Sequence, residues 1–162
     1  VRLEKIFSPA HFAFLQAVNG APIYTQGVFS MGDMRKLNRR YKRIANTLIA
    51  SEPDLKYIAE SAVRIGYLSS EAEKTSNGRI IFGQCEKVPD KWKWAVPYDF
   101  VITVFEPNVE RFTRKQIRIL ILHELLHVGI EYDGNEEKYY VIPHDVEDFK
   151  VILERYGMDW NI

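Results

Sequence analysis

An α+β fold, with a small twisted sheet packed against helices, is predicted by three observations. Two long segments carry apolar residues at helical spacing: Met34, Leu37, Tyr41, Ile44 and Leu48 early on, and Ile117, Leu120, Ile121, Leu125 and Val128 in the last third. Three short segments between them alternate or are continuously apolar, as strands are. The resulting order is helix, strands, helix, loop, helix, which is the pattern of an α+β domain.

Taken in chain order, Ser8-Pro9 opens a short helix that closes near Gly20, and residues 21–32, with Pro22, Gly27 and Gly32, read as a connector. We therefore expect an N-terminal extension over 1–32 and one domain over 33–162. A long helix is expected from about Asp33 to Ala50, with a short turn or helix from Pro53. Ala62 to Leu68 alternates through Val63, Ile65 and Tyr67 as a strand does. Ser69 to Gly78 is polar and turn-rich, and Arg79 to Glu86 is a second strand candidate. Phe100 to Phe105 is apolar enough to be central, and Glu106-Pro107-Asn108 breaks it. Thr113 can cap the next helix, whose run from Lys115 to Val128 holds no Gly or Pro, and Gly129 is placed to terminate it. Asp133-Gly134-Asn135 is a turn between Tyr-rich stretches that can pair as a hairpin. Pro143 suits the first turn of a last helix, His144 to Tyr156, with Val146, Phe149, Leu153 and Tyr156 as its apolar stripe and Gly157 as its end.

The chemistry is concentrated in His123-Glu124-Leu125-Leu126-His127. On a helix, positions i and i+4 share a face one turn apart, so two imidazoles at that spacing can bind one Zn²⁺. The glutamate between them is placed to act as a base on the attacking water. A third ligand is expected from the following helix. His144 is the only other histidine downstream, and it would leave a fourth position open. Glu147 and Asp148 lie on the same helical face at i+3 and i+4 and are the alternative ligands, or supports for an imidazole. Asp145, Glu147 and Asp148 also suit the acidic start of any helix. The fourth histidine, His11, belongs to the N-terminal stretch and reads as an ordinary residue.

Composition narrows the setting. A chain of 162 residues with 46% hydrophobic and 27% charged residues is long enough for a real core and is ordinary for a globular domain. No apolar run is long enough to cross a membrane, and the first residues have no signal-peptide pattern. Val1 is not a natural start, so a trimmed or excised chain is expected. The single cysteine, Cys85, excludes an internal disulfide and favours a reducing compartment, the cytoplasm. It reads as a buried strand residue, with a thiolate on the open zinc position as the functional alternative. Net charge is zero, so bulk electrostatics select no partner, and nothing specifies an oligomeric state. Six cations do cluster locally: Arg35, Lys36, Arg39, Arg40, Lys42 and Arg43. They flank the apolar stripe of the first long helix, as a solvated face does; a nucleic-acid surface is the sharper reading of the same residues.

The segment from Ile65 to Trp160 resembles the putative phage metallopeptidase family, a zincin group similar in pattern to SprT/Spartan-type proteases. The resemblance rests on Gly83-Gln84-Cys85-Glu86-Lys87-Val88-Pro89, Tyr98-Asp99-Phe100, the HExxH pentapeptide and Pro143-His144-Asp145-Val146-Glu147-Asp148-Phe149. It implies a minimal zincin-like domain, His123, His127 and His144 as zinc ligands, Glu124 as general base, a peptide or protein substrate, and a phage-encoded protein or the bacterial host cytoplasm.

Two functions of different class then compete. The first is a zinc-dependent endopeptidase, for which Tyr139, Tyr140 and Tyr156 are oxyanion-donor candidates by position, each equally readable as a packing aromatic. The second is a catalytically silent, zinc-stabilised binding module holding nucleic acid or a host protein through residues 34–43. Glu124 favours the enzyme, because a purely structural site needs no carboxylate there.

Overall fold

The computed structural model describes residues 34–144 and 149–160. The N-terminal helix, the connector, His11, Asp145, Val146, Glu147 and Asp148 lie outside them.

The centre of the domain is a four-stranded mixed sheet. Its strands are β1 (Arg35–Leu37), β2 (Ile65–Ser70), β5 (Gly83–Lys87) and β6 (Phe100–Phe105), in the order β1-β2-β6-β5. β2 and β6 run parallel, with Ile65 opposite Phe100, while β1 and β5 are antiparallel to their neighbours. All six residues of β6 are buried, as its continuous apolar run requires of a central strand. The pleat divides the side chains. Tyr67, Cys85, Phe100, Ile102 and Val104 join the main core with the helices, and Leu68 and Val101 face the other way, into a second cluster with Val88 and Val96.

Two helices supply the other half of the main core. α1 (Arg39–Ser51) is capped by Asn38, whose side chain accepts from the backbone N–H of Arg40 and Tyr41. It buries Tyr41, Ala45 and Leu48, spaced i, i+4 and i+7. This start corrects the expected helix from Asp33: residues 35–37 pair with β2 instead, and Met34 and Leu37 are exposed rather than part of the stripe. A strand pairing made across the chain outweighs the helical periodicity of two residues. After Pro53–Leu55, a single 3₁₀ turn, comes the short α2 (Lys56–Ala59).

α3 (Arg114–Leu126) carries the HExxH motif. Thr113 and Gln116 form a reciprocal capping box at its start. Beyond that box it is buried nearly all round, with Ile117, Ile119, Leu120, Ile121, Leu122, Leu125 and Leu126 in the core. It ends at His127, whose backbone is still helical, and the chain enters β7 (Val128–Asp133) at once. Gly129 is therefore not a helix terminator. It lies in β7 opposite Tyr140, where an added Cβ would stand 2.7 Å from the Tyr140 carbonyl oxygen. β7 and β8 (Glu136–Val141) form the expected hairpin, turning at Gly134 with φ +64°.

The second strand candidate is split. Thr75–Ser76 (β3) and Arg79–Ile80 (β4) make a small hairpin through Asn77 and Gly78, both at positive φ. β5 starts afresh at Gly83. The last helix, α4 (Lys150–Tyr156), is also shorter than expected. Phe149, its N-cap, is extended, so His144 precedes the helix rather than belonging to it. α4 is tied down by Arg155, which pairs with Glu52 and Asp54, while Arg118 of α3 reaches the same Glu52.

Removing one half of the capping box tests how α3 is started. Thr113→Ala should lower unfolding stability by about 1 kcal/mol, read as a reduced urea midpoint at unchanged slope.

Candidate metal centre

Helix spacing alone places His123 and His127 on one face of the last turn of α3, their rings 5.1 Å apart. The third imidazole is delivered by the hairpin. β7 leaves the helix at His127 and β8 returns to it, and the backbone N–H of Ile142 donates to the His127 carbonyl at 2.8 Å. The Ile142 carbonyl in turn accepts from His127 Nδ1 at 2.6 Å. Two residues further on, His144 stands with its ring 4.9 Å from that of His123 and 4.7 Å from that of His127.

The Ile142 bond also fixes the chemistry of His127. A carbonyl oxygen can only accept, so Nδ1 carries a proton, and in the neutral imidazole the lone pair is then on Nε2. Such a bond orients a metal-ligating imidazole and strengthens it as a base. Tyr57 steadies the same junction by donating its hydroxyl to the Val128 carbonyl at 2.8 Å; burial pushes that phenol up to about 12.

These three imidazoles fit a metal ion. One ring nitrogen from each lies within 4.8 Å of the others. His144 Nε2 and His123 Nε2 are 3.0 Å apart, a distance at which two lone pairs repel unless a proton or a cation lies between them. A tetrahedral zinc with bonds of about 2.0–2.1 Å sets its nitrogens about 3.4 Å apart, so this pair already stands near ligand spacing. Among the described residues the donor set is three imidazole nitrogens with no carboxylate, a set of the kind that divalent transition metals accept.

Glu124 is 3% exposed and points at β5. An added Cβ on Gly83 would lie 2.7 Å from Glu124 Oε1, so the strand backbone and the carboxylate are in contact only because residue 83 has no side chain. Cys85, two residues along the same face, is buried, and that burial above all, with the charges of Glu124 and Glu86 behind it, pushes its thiol up. Among the described residues it is not part of the cluster of possible metal donors.

Around the imidazoles stands an apolar collar not expected as part of the site. The Phe149 ring lies 5.2, 4.6 and 5.2 Å from those of His123, His127 and His144, and Trp160 stands 6.3 Å from His123. Phe149 was legible only as a stripe residue, and nothing local marked Trp160.

Of the tyrosines expected as oxyanion donors, one has its hydroxyl engaged. Tyr139 donates to Glu137 at 2.6 Å and meets Phe100 edge-on; burial, then the Glu137 bond, raise its hydroxyl. Tyr140 covers Gly129, and half-buried Tyr156 packs on the main core. The basic run is likewise divided. Arg35 and Lys36 are in β1, paired with Glu86 and Glu71, and only Arg39, Arg40, Lys42 and Arg43 stand on α1.

Fold and site together define a small zincin-like α+β domain with an HExxH helix and a third histidine brought in by a hairpin. A family model described as putative phage metallopeptidase matches residues 35–162, and the chain belongs to that family. No curated protein and no solved structure matches it. No helix among the described residues is long and apolar enough to cross a membrane.

If the imidazoles hold a metal, chelation should lower the melting temperature, because an ion bound only by the folded state stabilises it. His144→Ala should melt at the same temperature with and without chelator, and elemental analysis should show its metal content well below one per chain.

Proposed function

We propose that the protein is a zinc-dependent endopeptidase in which His123, His127 and His144 are the ligands and Glu124 is the general base. The observation that carries this reading is the convergence of three imidazoles from two elements at ligand spacing, with a buried carboxylate on the adjoining turn. When bound there, zinc supplies Lewis acidity, polarising a carbonyl oxygen and acidifying water.

The chain's own residues do the rest. The water oxygen attacks the scissile carbonyl carbon while its proton passes to the Glu124 carboxylate. Glu124 then gives that proton to the amide nitrogen as the C–N bond breaks, which leaves a carboxylic acid and a free amine. Burial keeps the proton from exchanging with bulk water between the two transfers. His127 holds its tautomer through Ile142, and Phe149 with Trp160 restricts solvent beside the ligands. β5 is an edge of the sheet and touches Glu124 at Gly83, so an extended peptide adding alongside it would present its carbonyls to the site.

Glu124→Gln keeps size and removes the base. It should retain one zinc per chain and the parental melting temperature, while hydrolysis of a denatured fluorogenic protein falls by about 10² to 10⁴-fold. A variant that cleaves as fast as the parent would refute Glu124 as base, and loss of zinc would make the carboxylate a ligand. Gly83→Ala checks the same geometry from the other side: zinc content should hold while turnover drops, since the atoms nearest to the new methyl are those of the Glu124 side chain.

A further inference from the structure

Residues 88–98 lie across the outer face of the sheet, the face turned away from α1 and α3. Val88 and Val96 anchor this segment by burial against Leu68 and Val101, with Ala95 and Tyr98 packed beside them. Between the anchors the backbone is closed by bonds from Trp92 N–H to Pro89, Lys93 N–H to Asp90, and both Ala95 and Val96 N–H to Trp92. A turn held at both ends and bonded within presents its side chains outward in a fixed arrangement.

What it presents is Lys91, Trp92, Lys93 and Trp94, all exposed. Trp94 is 82% exposed and Trp92 44%, and no other large hydrophobic side chain among the described residues is as exposed as Trp94. The one acid between residues 87 and 94, Asp90, is paired with Lys93 at 3.1 Å. The Lys91 ammonium lies 5.9 Å from the Trp92 ring centroid, so cation and indole face stand side by side.

We propose that this turn binds single-stranded nucleic acid, with bases stacking on Trp94 and Trp92 and a phosphate held by Lys91 beside them. Flat apolar faces alternating with cations match a polymer in which flat bases alternate with phosphates. A duplex keeps its base faces stacked inside and cannot use the indoles. The cations of α1 have no such platform, because the ring beside Arg40 is Tyr41, which is 1% exposed. The surface is independent of the proposed hydrolysis, since Glu124 lies against the opposite face of the sheet.

Intrinsic fluorescence of the full chain provides the test. Trp160, the only other tryptophan, is 9% exposed, so a change on binding reports on Trp92 and Trp94. Titration with a dodecamer of thymidylate at roughly 50 mM salt should quench emission, with log Kd rising linearly in log salt. Trp94→Ala should weaken binding, measured by oligonucleotide anisotropy, by about 5- to 150-fold, the range of one stacked base. Lys91→Gln should lower the salt slope by about 0.7, one phosphate contact. Arg39→Gln with Lys42→Gln should leave the affinity nearly unchanged. Unaltered melting of these surface variants would assign the losses to binding. No quenching at low salt, parental affinity in Trp94→Ala, or equally tight binding of duplex DNA, polyglutamate or anionic vesicles would overturn the proposal, the last two in favour of an acidic protein or a membrane surface.

Discussion

The pair of hydrogen bonds between His127 and Ile142 is the constraint from which the candidate centre follows. The backbone of Ile142 both donates to and accepts from one residue, and that residue is the last of the HExxH motif. Without it, β8 would still pair with β7, but nothing would register the end of the hairpin on the end of α3. With it, His144 is carried to within 3.0 Å of His123, although 21 residues separate them in the chain. The same contact selects the tautomer of His127. One element of tertiary structure therefore closes the fold and prepares the donor set, which is why the two cannot be perturbed separately at this point.

The closure depends on close backbone approach at two glycines. At Gly129 the obstacle to a larger residue is the Tyr140 carbonyl, which the β7–β8 ladder holds in place and which cannot move aside. At Gly83 the obstacle is the Glu124 side chain, which can move, but only by leaving its place against β5. The first glycine is thus a requirement of the hairpin and the second a requirement of the carboxylate. Further out, Glu52 receives both Arg118 and Arg155, and so joins α3 and α4 to the end of α1. That junction fixes the helix that follows Phe149, and with it the collar over the imidazoles.

Much of this was legible in the sequence, for physical reasons that differ by element. α3 announced itself because capping, periodicity and the absence of Gly or Pro agree, and β6 because six consecutive apolar residues can only be central. The Asp133-Gly134 turn needs positive φ, and the sequence puts glycine there. The errors came where long-range contacts outweigh local preference. Arg35–Leu37 has helical periodicity but pairs with β2, and His144 reads as the first turn of a helix although its position is set by Ile142. Trp160 carries no local signal, because its role consists of what it meets across the fold, and Gly83 is marked only as part of a family motif that does not disclose its contact with Glu124. The tyrosines show the converse. Position near the motif suggested chemistry, but Tyr139 spends its hydroxyl on Glu137, which also accepts from the Ala62 N–H and so ties β8 to the approach of β2.

β5 shows how the pleat sorts these roles along one strand. Gly83 and Cys85 face α3, where they form the wall against Glu124, and Glu86 faces the other way, accepting from Arg35 across Thr103. After Lys87 the chain crosses to the outer face and becomes the lysine- and tryptophan-bearing turn. From Gly83 to Lys87 is roughly 13 Å of extended chain, so the edge that passes Glu124 runs directly into the turn beyond it. Because that strand is laddered to β6, the most buried in the sheet, the two surfaces hold a fixed relation to each other while facing different solvent. A ligand on the outer turn would therefore leave the inner site open, and a polymer held there would lie within a strand's length of the edge that passes Glu124.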